Sequence, residues 1–369
     1  MNPYSAATAF VRGDLEVRGD LIEAVRSYLE ETPRDLAYRL LALIARWGPW
    51  KLAPKLLGGA GEASRLRHHY DLSNDFYRQF LDSRMVYSCA YFDRPAATLE
   101  EAQLAKLDLV CRKLELRPGE RLLDIGCGWG ALLVHAAEQY GAECVGCTLS
   151  GQQAAYAHKQ LHERGLGGRI EIRETDYHSL EGRFHKAASI GMFEHVGRRR
   201  LGAYFRRVRE LIAPDGLFLN HGIVRPQFVR DSPETLFVQR EVFPGGEIVH
   251  LSEVVAEAEN AGFEVVDVEN LRPHYALTCR AWVDRLTAKG EECLRYVDTR
   301  TWRTWLLYLA ASAVNFECGY LEVHQVLLAP RGHSIHRRLT REHMLQGAGS
   351  KTVVNEASLE SVSNRSESR

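Results

Sequence analysis

The sequence has no uncharged apolar run long enough to cross a bilayer. Its best stretch, "LAYRLLALIARWGPWKL" over 36–52, is broken by Arg39, Arg46 and Lys51, which argues against a spanning helix there. The opening "MNPYSAATAFVRGD" meets charge too early for a secretory leader. With a formal net charge of -1, the chain lacks the overall basicity of a nucleic-acid binder, so any electrostatic surface must be local. The eight cysteines are scattered, and without a secretory signal they read as reduced thiols, not a disulfide framework. The lone CxxC, Cys144 to Cys147, lies in a strand-like run, away from the helix start that would give a redox thiol its acidity. No His/Cys pair stands at zinc spacing, so no metal site is expected. Internal repeats are absent. A soluble, cytoplasmic protein is expected, with no nucleic-acid partner.

What is present is enough apolar residue, 45% of 369, to build a sizeable core. Residues 1–62 read as an N-terminal helical module, with Leu36, Leu40, Leu43, Ile44 and Trp47 on one helix face. Gly48-Pro49 interrupts it and "LLGGAGEAS" (56–64) reads as a linker. A packing or homodimerisation role is expected for this module. Residues 63–117 read as a helical cover. From about residue 118 strands and helices alternate. Strands are expected at 121–126, 143–149, 169–175, 185–192 and 215–224, with helices at 131–141, 151–165 and 199–213. Such alternation predicts an α/β doubly wound sheet with helices on both faces. A helix and strand follow over 253–271, then a long helix near 300–319 and a last strand over 320–329. Trp302, Leu306, Leu309, Ala313, Phe316 and Tyr320 keep helical spacing and are expected in the core. Residues 331–369 turn basic and polar, and 355–369 have too little apolar content to order themselves.

"LLDIGCGWG" (122–130) puts Asp124 at a strand end, then Gly126, Cys127, Gly128, Trp129 and Gly130, then a helix. Glycine allows a sharp turn and a close ligand approach, and the helix start offers unpaired N–H groups. The spacing is G-x-G-x-G, so the dinucleotide fingerprint G-x-G-x-x-G fails at its third position. An acid beside the glycines repels phosphate but attracts the ammonium of an amino acid, which favours S-adenosylmethionine. At the next strand end, where dinucleotide enzymes place an acid on the ribose, this chain has Thr148, Ser150, Gln152 and Gln153. The ribose contact would then be neutral. Thr148 and Ser150 would also cap the following helix.

"HYDLSNDFY" (69–77), "MVYSCAYF" (85–92), "LLDIGCGWG" (122–130), "GMFEHVG" (191–197), "NHGI" (220–223) and "HYALTCRAW" (274–282) follow one another in order. Together they resemble the cyclopropane-fatty-acyl-phospholipid synthase family, which includes the mycolic acid cyclopropane synthases, over about 65–330. The resemblance implies a class I S-adenosylmethionine-dependent methyltransferase fold, Rossmann-like, with acyl-binding elements over 225–320. It implies a cis double bond in a membrane phospholipid acyl chain as acceptor and a bound bicarbonate beside the transferred methyl. The matching bicarbonate positions are Cys89, Glu194, His221, Ile223 and Tyr275. The donor positions are Tyr87, Ser88, the 124–130 loop, Thr148, Gln153, Asp176 and Tyr177. Many relatives carry a cysteine within "YLxxCAxxF"; here "YLAASAVNF" has Ser312, and the chemistry needs no cysteine nucleophile.

An alkene is a weak nucleophile, so it must be held close to the sulfonium methyl, in line and dry. Ring closure then needs a small base for a proton of the new methyl. Glu194 is expected to accept the hydroxyl hydrogen of bicarbonate, His221 and Tyr275 to donate, and the N–H groups of Cys89 and Ile223 to complete the cage. His195 is expected to be structural. Arg199, Arg206 and Arg209, flanked by Arg200 and Arg207, form a basic face. It is either solvated or a patch for anionic headgroups at the inner face of the membrane, and "RGHSIHRRLTR" (331–341) competes for that role. Three alternatives share parts of this pattern: methyl or methylene branching of the same chains, small-amine N-methylation, and non-catalytic lipid binding.

Overall fold

The computed structural model describes residues 2–31, 72–229, 237–242, 247–332 and 339–345. The apolar runs pair into one seven-stranded sheet. Its strands are β1 (Arg121–Ile125), β2 (Glu143–Thr148), β3 (Ile170–Glu174), β4 (Phe184–Ile190), β5 (Ile212–Val224), β6 (Phe263–Asn270) and β7 (Glu322–Pro330). The order is β3-β2-β1-β4-β5-β7-β6. The first five pair in parallel, and β7 inserts antiparallel between β5 and β6. The chain winds outward from β1 through β2 to β3 and then returns to β4 on the other side of β1. That reversal opens a crevice at the carboxyl ends of β1 and β4, where such sheets bind ligands. This is the class I methyltransferase architecture.

The helices are α1 (Pro3–Arg12), α2 (Leu21–Glu31), α3 (Asn74–Phe80), α4 (Leu99–Lys113), α5 (Ala131–Tyr140), α6 (Gly151–Arg164), α7 (Leu201–Leu211), α8 (Leu251–Asn260), α9 (Arg272–Ala288) and α10 (Thr299–Glu317). Their starts follow local chemistry. Thr98 and Glu101 form a reciprocal capping box on α4, Ser150 caps α6 and Asp298 caps α10, each satisfying N–H groups that a helix start leaves open.

The described N-terminal helices share a core with α10. Phe10, Val11, Leu21 and Ile22 are buried in one cluster with Trp305 and Leu309. The Arg303 guanidinium stacks over the Phe10 ring at 5.1 Å, and Arg26 and Arg280 both pair with Glu317. The expected stripe at 36–47, the linker 56–64 and the polar tail 355–369 lie outside the described residues. Part of the basic stretch 331–369 is docked: Met344 is buried in one cluster with Leu107 and Val110 of α4, and Arg112 donates to its carbonyl.

Two expectations are corrected. The helix foreseen over 199–213 is α7 alone. Gly197 at φ +75° breaks the chain direction, 198–200 form a separate 3-10 turn, and Ile212 already begins β5. Its buried stripe is Leu201, Tyr204, Phe205, Val208 and Leu211. Of the foreseen arginine face, the flanking Arg207 pairs with Glu210 at 2.7 Å; Arg198, outside that face, pairs with Glu247 at 3.3 Å and with Glu253. Tyr320, placed by spacing in the α10 core, falls beyond the helix end and is 41% exposed.

Candidate active site

A cavity of about 510 Å³ opens at the reversal point. Its floor is the turn after β1. Gly126, Gly128 and Gly130 all take positive φ, which L side chains rarely adopt. A Cβ on Gly126 would also stand 2.8 Å from Met192. Gly126, Cys127, Gly128 and Trp129 line the space, while Gly130 sits behind it as the left-handed N-cap of α5. The Cys127 thiol is packed against β2 and burial pushes it up, far from thiolate chemistry. The Trp129 indole donates to Asn74 Oδ1 at 2.8 Å and meets Tyr77 edge-on at 5.0 Å, so α3 roofs the loop.

The side walls carry the other foreseen donor residues. Thr148 donates to Gln153 Oε1 at 2.8 Å, and the Ser150 side chain accepts from the Gln153 N–H at 3.3 Å. The neutral group at the end of β2 therefore caps α6 and faces the cavity together. Asp176 and Tyr177 stand at the end of β3, where the Asp176 carboxylate accepts from the His178 N–H at 2.9 Å. Tyr87 and Ser88 close the opposite end. Tyr87 packs on Trp282 at 5.2 Å and Trp305 at 5.8 Å, part of an aromatic wall that also holds Phe76, Tyr77 and Phe80. Asp124 is 4% exposed; burial pushes its carboxyl up to about 7, with Lys106 pulling the other way.

None of the five residues expected to hold the anion lines this cavity. Glu194 sits in a 3-10 turn at the end of β4. Its Oε1 accepts from the Ile223 N–H at 2.7 Å, so that amide anchors the carboxylate. Its Oε2 is buried with no hydrogen-bond partner, and burial raises the carboxyl to about 7. His221, on β5, is 1% exposed. Its Nδ1 lies 3.1 Å from the Gln325 Nε2 on the paired strand β7, and its Nε2 is likewise buried without a partner. An amide N–H donating to Nδ1 leaves the proton on Nε2, and burial together with Lys106 and Lys113 keeps the ring neutral. One orphaned acceptor and one orphaned donor thus come from adjoining pieces of chain. Buried polar atoms without a partner call for an explanation, and a bound water or ion is one that would satisfy both.

Gly222 is what lets the turn reach them: a Cβ there would lie 2.1 Å from the Phe193 ring and 2.8 Å from Glu194 Oε1. Tyr275 stacks on Phe316 at 4.5 Å, and burial, with smaller contributions from Cys89 and Glu194, holds its hydroxyl in the neutral form. Cys89 is fully buried; its thiol donates to the Ala90 carbonyl at 3.2 Å and burial pushes it up. The residues fit a small anion that brings one donor and several acceptors. They equally fit a donor with an amino-acid end at Asp124.

The mycolic acid cyclopropane synthetase model matches residues 60–326. The chain belongs to that family. A probable fatty acid methyltransferase of Pseudomonas putida is 40% identical over 347 residues, covering 91% of this chain and 85% of that one. Cyclopropane mycolic acid synthase MmaA2 of Mycobacterium tuberculosis is 39% identical over 272 residues, covering 71% and 95%. A solved mycolic acid cyclopropane synthase, CmaA1 complexed with SAH and CTAB, is 35% identical with TM-score 0.69, covering 72% of this chain and 97% of that one.

For a member of this synthetase family, several neighbours of the site went unread in the sequence. Lys106 and Gln325 are the main ones. Lys106 sits on the buried stripe of α4 with Ala102, Gln103 and Val110, and a lysine on an apolar stripe was the available signal. Gln325 had none, because only the β5–β7 pairing sets it opposite His221. His195 lines the cavity, and burial lowers its imidazole to about 4. Ser312 donates to its own helix at the Tyr308 carbonyl, 2.8 Å away, and does not line the cavity.

Proposed function

We propose that this chain transfers the methyl carbon of S-adenosylmethionine to the cis double bond of an unsaturated phospholipid acyl chain and closes a cyclopropane ring. The observation that carries this reading is the pair of buried, unpartnered polar atoms, Glu194 Oε2 and His221 Nε2, next to a cavity built for the donor. When bound, the donor supplies an electrophilic methyl and bicarbonate a small base. Cys89, Glu194, His221 and Tyr275 would hold the anion; the Ile223 N–H, foreseen as a direct donor to it, is instead taken by Glu194 Oε1. Asp124 would hold the donor's ammonium, with Thr148 and Gln153 at the ribose and Asp176 and Tyr177 at the adenine.

The chain's own residues account for the rest. Glu194, fixed by the Ile223 amide, offers an acceptor and raises the basicity of whatever it binds. The neutral His221 and Tyr275 offer donors. The aromatic wall of Tyr77, Tyr87, Trp282 and Trp305 excludes water and presents π faces that suit a transient positive charge. The alkene would attack the methyl carbon as its bond to sulfur breaks, and one proton of that carbon would pass to the bound bicarbonate as the ring closes. Arg199 and Arg206 remain on the exposed face of the turn and of α7, and we place contact with the inner membrane leaflet there. No described helix is long and apolar enough to cross a membrane.

The test is expression in a host that makes cis-unsaturated phospholipids and lacks this activity. A gain of one CH2 with loss of the double bond is expected in the extracted acyl chains. A gain of CH2 with retained unsaturation, or no change, would overturn the assignment.

A further inference from the structure

Lys106 is 1% exposed and borders the donor cavity. Buried ammonium groups need an anion or several acceptors. The comparison within α4 is direct. Lys113, two turns on and equally buried, has Glu269 in contact and Asp267 at 3.7 Å. Lys106 Nζ has one partner among the described residues, the Ser88 hydroxyl at 2.9 Å. Asp82 and Asp124 attract it only from farther off, and Asp82 is already taken by the N–H groups of Arg84 and Val86 at 3.2 and 2.8 Å. A cation with an unfilled anion position therefore faces the cavity.

The direction of the donor says what fills it. The cavity runs from Asp176 at the end of β3, past Thr148 at the end of β2, to Asp124 at the end of β1, with Ser88 and Lys106 beyond. On the donor reading above, adenine and ribose take the first two stations, so the amino-acid part reaches the third. An amino acid is a zwitterion, and this end of the cavity offers one carboxylate and one ammonium.

We propose that Lys106, oriented by Ser88, binds the α-carboxylate of the donor while Asp124 takes its ammonium. The inference rests on the donor reading above and is independent of the acyl substrate and of the bound anion. It makes Lys106 the residue by which the site requires a complete amino-acid end, and so distinguishes the donor and its demethylated product from nucleosides that lack the carboxylate.

The test is calorimetric titration of the full chain with S-adenosylhomocysteine, with its decarboxylated analogue and with 5′-methylthioadenosine. Wild type should prefer the carboxylate-bearing ligand over the decarboxylated one by roughly 10- to 100-fold, the worth of a charge-assisted contact. In Lys106→Met, affinity for S-adenosylhomocysteine should fall by about the same factor, with methylthioadenosine unchanged within about twofold. Equal loss for both ligands, or no loss for either, would overturn the role of Lys106. If the variant fails to fold, the wild-type comparison decides alone: equal affinity for the carboxylated and decarboxylated ligands overturns the proposal. If wild type binds none of the three, the donor reading itself falls, and Lys106 with it.

Discussion

Replacing Glu194 by Gln separates the cost of burying a carboxylate from its use. The side chain keeps its shape, and the amide oxygen can still accept from the Ile223 N–H now 2.7 Å from Oε1. What changes is the buried Oε2, an acceptor replaced by an NH2 that only donates. Loss of one hydrogen bond to a charged acceptor is worth about 1.5–3 kcal/mol, so turnover should fall roughly 10- to 150-fold. Affinity for S-adenosylhomocysteine should stay the same, because Glu194 is not among the residues lining the donor cavity.

Stability should move the other way. Burial holds the native carboxyl at about 7 against an ordinary 4.5. Between those values the unfolded chain has released the proton and the native chain has kept it, so this group's contribution is full below about pH 4.5 and lost as pH rises through 7. At 1.36 kcal/mol per pH unit the difference amounts to roughly 3 kcal/mol. The stability gap, Gln variant minus wild type, should therefore widen by a few kcal/mol between about pH 5 and pH 8. Urea unfolding of both proteins at the two pH values measures it, and any fixed cost of the buried amide cancels. A gap that does not change with pH, or turnover equal to wild type, would refute the reasoning.

Other outcomes follow from the same geometry. Gly222→Ala puts a methyl 2.1 Å from Phe193; turnover should collapse and the melting temperature drop by several degrees, as overpacking costs about 1–3 kcal/mol. Asp124→Asn should weaken S-adenosylhomocysteine by about tenfold or more. In wild type that affinity should fall as pH drops below about 7, where Asp124 takes up its proton, and the Asn variant should lack this step. Gln325→Leu frees His221 Nδ1 from its 3.1 Å partner; the ring should sample both tautomers in nitrogen-15 spectra, with lower turnover and unchanged donor affinity. Ser312→Cys should leave turnover within about twofold of wild type, since this half-buried hydroxyl bonds its own helix and does not line the cavity.

The sequence by itself determined the alternation of strands and helices, because apolar period and glycine stops are local properties of the chain. It also determined the glycine turn at 126–130, where backbone conformation restricts residue type, and the neutral cap at Thr148 and Ser150. Tertiary structure decided what depends on residues far apart. The Glu194–Ile223 contact joins the turn after β4 to the carboxyl end of β5, and the His221–Gln325 contact exists only through the β5–β7 register. The difference between two buried lysines on one helix is likewise decided by their surroundings: β6 brings carboxylates to Lys113 and leaves Lys106 facing the cavity. Periodicity reports which way a side chain points along its own element, but a charge acquires its partner, and hence its chemistry, only when another element is packed against it.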